Sequence, residues 1–174
     1  MDKKIYNKIE DLPKEKLLEL ISDFSKNWLA MDGVWFQSIE KKFGMDEAMG
    51  HDINIWEKFT VIEAKRIKKF LNLSDRPGLK GLERALKFRM YAPLNEDSIE
   101  IQGNTLTYRT VTCRVQNARE RKGMEFHPCK PVGLVEYEGF ASTIDDRLIT
   151  ECVSCYPDIT DASCACIWKF TLNE

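Results

Sequence analysis

A chain of 174 residues with 43% hydrophobic and 31% charged residues has the balance of a globular domain rather than of a disordered segment. Its 26 basic and 28 acidic residues leave a net charge of −2, too even for a nucleic-acid binder, which concentrates Lys and Arg on one face. No apolar run approaches the roughly 18 residues needed to span a bilayer, and the N-terminus has no apolar signal core. The expectation is a cytoplasmic protein with reduced thiols and neither membrane nor nucleic acid as partner.

Two regions of one domain, 1–174, follow from the change in hydrophobic period. Residues 1–91 read as helical. Asp11-Leu-Pro-Lys-Glu is a helix start, with proline near the first turn and acids at the positive end of the dipole. Leu17, Leu18, Ile21, Phe24 and Trp28 follow at helical spacing. Asp32-Gly33 either breaks or kinks this helix, after which Trp35, Phe36, Ile39 and Phe43 carry the stripe to a stop at Gly44. Asp46 caps a long helix to about Leu73, with Met49, Ile53, Trp56, Phe59, Ile67 and Phe70 on its apolar face, and a shorter helix runs from Leu79 to Met90.

Residues 92–174 change to period two. Ser98–Gln102 and Thr105–Thr112, joined by Gly103-Asn104, predict a β-hairpin with a two-residue primed turn. Arg147–Ser154 and Ala165–Leu172 predict two more strands, with short helices at Val115–Lys122 and Leu134–Ile144. The fold class is α+β, an N-terminal helical layer packed on a C-terminal antiparallel sheet with short helices.

All six cysteines lie in the second region, four of them as Cys152-Val-Ser-Cys155 and Cys164-Ala-Cys166. Core packing alone does not segregate one residue type in this way. Four thiolates suit Zn²⁺ or an Fe–S cluster, although only the first pair has a standard spacing. A reactive thiol, unliganded core thiols and disulfides are the competing readings. His127 is a further ligand candidate, though a lone histidine before proline is more often a turn residue. With only His51 and His127 in the chain, a Cys–His pair depends on one of the two.

Acids on the apolar stripes form a second set of candidates. Glu63 lies between Phe59 and Ile67, Asp52 between Met49 and Trp56, and Asp32 between Trp28 and Trp35. An acid among tryptophans must be paired, hydrogen-bonded or protonated, so these acids either act as general bases, bind an amine, pair with Arg66 or Arg119, or cap helix ends. Trp35 and Trp56 are candidate walls for a bound molecule. No Walker loop, dinucleotide glycine motif, Gly-x-Ser-x-Gly elbow or His-Glu-x-x-His motif occurs.

Trp28–Phe36, Asp52–Trp56, Glu63–Arg66, Cys113–Gly123, Pro128–Lys130, Cys155–Asp158 and Cys166–Phe170 resemble the motifs of a prokaryotic family of uncharacterised cytosolic proteins. That family in turn is similar to the L-2-amino-thiazoline-4-carboxylic acid hydrolase-like group. The resemblance implies that Cys113, Cys129, Cys155 and Cys166 are the motif thiols, one from each of four segments, with Cys152 and Cys164 as extras. It also implies ring-opening hydrolysis of a cyclic amino-acid derivative.

Three functions follow. The first is a thiolate-ligated metal site (Zn²⁺ or Fe–S on Cys113, Cys129, Cys155 and Cys166) beside a small-molecule pocket. The second is a thiol- or metal-dependent hydrolase in which Cys113 or a metal-bound water attacks, Asp52 or Glu63 shuttles protons and Arg119 holds a substrate carboxylate. The third is a structural protein with buried free thiols that forms a homo-oligomer through its Trp/Phe stripe.

Overall fold

The computed structural model describes residues 5–173. After a 3-10 turn at Ile9–Asp11 come three helices, α1 (Lys14–Phe43), α2 (Met45–Phe70) and α3 (Gly78–Leu86). The second region supplies strands β1 (Glu96–Gln102) and β2 (Thr105–Thr112), helices α4 (Arg114–Arg121) and α5 (Lys130–Ile144), and strands β3 (Leu148–Cys155) and β4 (Cys166–Leu172). The result is an α+β fold, with five helices and one antiparallel sheet of strand order β1-β2-β4-β3 among the described residues.

Asp32-Gly33 neither breaks nor ends α1. One glycine costs a helix interior about 1 kcal/mol, and the inward contacts of Trp28, Phe36 and Ile39 on either side outweigh that. The true break is Gly44, whose φ of 92° is open to glycine and lets α2 begin at Met45, so Asp46 lies in the first turn and is not the cap. Gly103, with φ 58°, supplies the positive dihedral of the hairpin turn, and Gln102 pairs with Thr105 as the two-residue loop requires.

The layer lying on the sheet is α5, from the second region, with α2 packed across it. Two glycines allow that approach. A Cβ on Gly133 would stand 2.5 Å from Cζ2 of Trp168 on β4, and one on Gly139 would stand 2.7 Å from Cγ2 of Thr60 on α2. Leu106, Phe140, Ile144, Trp168 and Phe170 are sealed between sheet and helices. A second cluster, Phe36, Met49, Trp56 and Val132, joins α1 and α2 to the start of α5.

The sheet carries one irregularity that matters for chemistry. Cys152 pairs with Trp168, but Ser154 pairs with Ile167 and Cys155 with Cys166, so Val153 is an extra residue in β3. Residues three apart on a strand ordinarily face opposite ways. The bulge restores Cys155 to the face that carries Cys166 and Trp168.

Candidate active site

A cavity of about 460 Å³ opens between α1, α2, α4 and α5 and the ends of β2, β3 and β4. Trp28, Trp56, Tyr91, Tyr137 and Trp168 form aromatic walls, and Asp32, Asp52 and Glu136 contribute carboxylates. Cys113, Cys129, Cys155 and Cys166 border the same space, while Cys152 and Cys164 are not among its lining residues. Sulfurs from four separate segments therefore meet at one cavity. All six cysteines are free.

One of these thiols has a base beside it. His127 Nδ1 lies 3.1 Å from Cys129 Sγ, and His127 Nε2 lies 3.3 Å from Asp52 Oδ2. His127 and Asp52 are both buried. The Cys129 thiol also donates to the His127 carbonyl at 3.2 Å; with Nε2–H toward the Asp52 carboxylate, Nδ1 is a second acceptor for the same proton, the arrangement of an oriented nucleophile–base pair.

Local sequence builds this pair. Pro128 holds His127 out of helical conformation, and the Cys129 N–H closes back on the His127 carbonyl at 2.8 Å. Gln116 on α4 clamps the histidine backbone from both sides: its Nε2 donates to the His127 carbonyl at 2.8 Å, and its Oε1 accepts from the His127 N–H at 2.9 Å. The same Nε2 lies 3.1 Å from Cys129 Sγ. The Phe36 ring packs against the imidazole with centroids 4.7 Å apart. Cys129 is the N-cap residue of α5.

The remaining sulfurs form a line ending at Cys129. Hydrogen bonding to Cys129 is the main cause that pushes the Cys155 thiol well up, and hydrogen bonding to Cys155 does the same for Cys166. Burial raises Cys113. These three thus act as protonated S–H groups. Among the described residues no group of three or more His, Cys, Asp or Glu side chains is disposed to hold a metal ion. Cys113, Cys129, Cys155 and Cys166 share a cavity without forming such a group.

The other predicted site residues separate. Asp52 and Trp56 line the cavity, as does Cys113, but the base stands beside Cys129 instead. Glu63 is not among the lining residues. Its Oε2 accepts from Arg89 Nε at 3.0 Å and pairs in charge with Nη2 at 2.9 Å, and its Oε1 accepts from the Met90 N–H at 2.8 Å. The expected partners Arg66 and Arg119 are replaced by Arg89, a residue of the turn after α3. Arg119 cannot serve as a free carboxylate clamp. Two of its nitrogens bond Glu40 at 2.8 and 2.7 Å and its Nε donates to the Glu125 carbonyl, so three of its five N–H groups are engaged. Trp35 is 60% exposed on the outer face of α1 and lines no part of the cavity.

Two carboxylates face this space in different states. Glu136 bonds Arg89 Nη1 at 2.6 Å and the Tyr91 hydroxyl at 3.2 Å; burial pushes its carboxyl up, and Arg89 opposes that shift. Asp32 has no hydrogen bond or ion pair with any described residue, and burial, reinforced by Asp52, raises its carboxyl to about 6. Sequence reasoning passed over His127 as the base. The signal was the tripeptide His127-Pro128-Cys129, which forces ring and sulfur onto one turn.

Fold and site together define an α+β protein in which a thiol, an imidazole and a carboxylate stand in contact beside an aromatic cavity. The chain belongs to the family of unknown function DUF6125, whose model matches residues 9–172. None of the curated proteins compared with the chain matches it. No described helix is long and apolar enough to cross a membrane.

Proposed function

We propose that this protein is a cysteine-dependent hydrolase that cleaves a C–N bond in a small molecule held in the cavity. The observation that carries the reading is the relay Cys129 Sγ–His127–Asp52, at 3.1 and 3.3 Å, opening into the enclosed space. His127 takes the thiol proton, and Cys129 sulfur attacks the electrophilic carbon to form a C–S bond. The C–N bond breaks as the leaving nitrogen takes the proton from the imidazolium. Water, deprotonated by His127, then attacks the same carbon, the C–S bond breaks, and the thiol is regenerated. Asp52 orients the ring and offsets the charge on the imidazolium.

The family that the motifs resemble is in turn similar to the aminothiazoline-carboxylate hydrolase-like group, and that similarity supports a ring C–N bond as the target, so that both fragments leave as one product. Cys155 and Cys166 are donors of S–H bonds in this scheme, not nucleophiles. The test combines alkylation with turnover. Iodoacetamide labelling followed by peptide mapping should modify Cys129 about tenfold or more faster than Cys113 or Cys152, and His127→Ala should remove that preference. Cys129→Ala should abolish turnover on a panel of cyclic amidines and lactams while the far-UV spectrum stays unchanged. Equal labelling of all six thiols, or labelling of Cys129 indifferent to His127, would overturn the reading.

A further inference from the structure

We infer that the molecule bound in this cavity carries a cationic nitrogen (ammonium, amidinium or guanidinium) that lodges between the Asp32 carboxylate and the indoles of Trp28 and Trp56. This deepens the hydrolase reading, on which it rests, by giving the substrate its charge.

The first ground is an imbalance of partners. Asp52 faces His127, Glu63 and Glu136 share Arg89, Glu40 holds Arg119, and Asp145 holds Arg147. Among the described residues Asp32 alone of the cavity carboxylates meets no donor, only the repulsion of Asp52 and Glu136 and the partial relief of His127. The second ground is the wall material. Trp28 stands one helical turn before Asp32 on the same face of α1, with its ring centroid 5.9 Å from that of Trp56 and 5.4 Å from that of Tyr91. Aromatic faces beside a carboxylate are the surroundings that select a desolvated cation.

The site therefore asks for a molecule with a cation at the α1 side. The interior offers an anionic head no free guanidinium, because Arg119 is committed to Glu40. Lys26, Arg114, Arg121 and Lys122 are exposed on the rim and leave room for a negative group only at the mouth.

Titration of tryptophan fluorescence, supported by calorimetry, tests this with matched probes: benzylamine against benzyl alcohol, and benzamidine against benzamide. The proteins are wild type, Asp32→Asn and Cys129→Ser. Each cationic probe should bind wild type about tenfold or more tighter than its neutral partner, and Asp32→Asn should erase that margin while leaving the neutral probes unchanged. Cys129→Ser should bind the cations as wild type does, so a failed labelling experiment would leave this result standing. Asp32→Asn removes a carboxylate that no described residue holds, and its thermal midpoint should not fall. Neutral probes binding as tightly as cations, no cation binding in wild type, or a margin surviving in Asp32→Asn would each overturn the inference.

Discussion

Two clusters of charge lie near Trp56, and they are built to opposite ends. Around Arg89 the guanidinium is enclosed by Glu63, Glu136 and the rings of Phe140 and Tyr91, 4.7 and 5.1 Å from its carbon, and it borders no cavity itself, although Glu136 and Tyr91 do. Around His127 the groups stand in a line from Asp52 to Cys129 and open into a cavity, with Asp32 left over. A closed cluster spends its electrostatics on holding helices together. An open one with an unspent carboxylate keeps its electrostatics available to something that arrives later. Buried charge alone does not mark function; a carboxylate beside a cavity that meets no donor is the better marker.

The comparison breaks most visibly at Arg89. Arg89→Met leaves two carboxylates without a counter-charge in the core, and urea unfolding should show a loss of about 3–5 kcal/mol. Adding Glu63→Gln to that variant should recover part of the loss. If Arg89→Met unfolds as wild type does, the closed cluster is not structural.

A smaller effect, of opposite sense, is expected at Asp32. Its folded carboxyl is raised to about 6 from an ordinary 3.8, so the folded state holds a proton that the unfolded state releases. The associated stability is complete below about pH 3.8 and is lost as the pH rises through 6. The difference between wild type and Asp32→Asn should therefore grow from near zero at pH 3.5 to about 1–3 kcal/mol in favour of the asparagine at pH 7.5. A flat difference across that range would mean that Asp32 is already balanced within the fold.

The smallest effect sharpens the boundary of the site. Trp35→Ser, on the outer face of α1, should change stability by no more than about 0.5 kcal/mol and leave probe binding unaltered. A drop in cation affinity there would extend the site past the described walls.

Much of the fold was legible because its elements obey their periods. The stripe on α2 as far as Ile67, the alternation of β4 and the Gly103 turn all follow from spacing that any reader of the chain can check, whereas Phe70, placed on the same stripe, is exposed. Spacing says which face a residue occupies but not which element arrives opposite. Glu63 was rightly placed among apolar neighbours that demand a partner, yet Arg89 sits in an irregular turn 26 residues on, where no period points back to α2. His127 fails for the same reason: a loop has no face, and only the packing of α2 against the start of α5 delivers Asp52 to its ring. The gathering of the four motif thiols was legible as a wager on convergence. That the third of them points inward depends on a bulge at Val153, a backbone irregularity that no side-chain pattern announces.

Gly133 has a further consequence. It lies one turn after Cys129 on α5, and the missing side chain there lets the helix rest directly on the indole of Trp168. The tryptophan thus works as a spacer block that fixes the height of the sulfur above the sheet, and the glycine is the machined flat that seats against it. Any larger residue at 133 would act as a shim, lifting the start of α5 and drawing the thiol out of line with an imidazole anchored independently by Gln116. Alignment between nucleophile and base is thereby a property of helix-to-sheet distance, set by the one position in α5 where bulk is forbidden by the ring beneath.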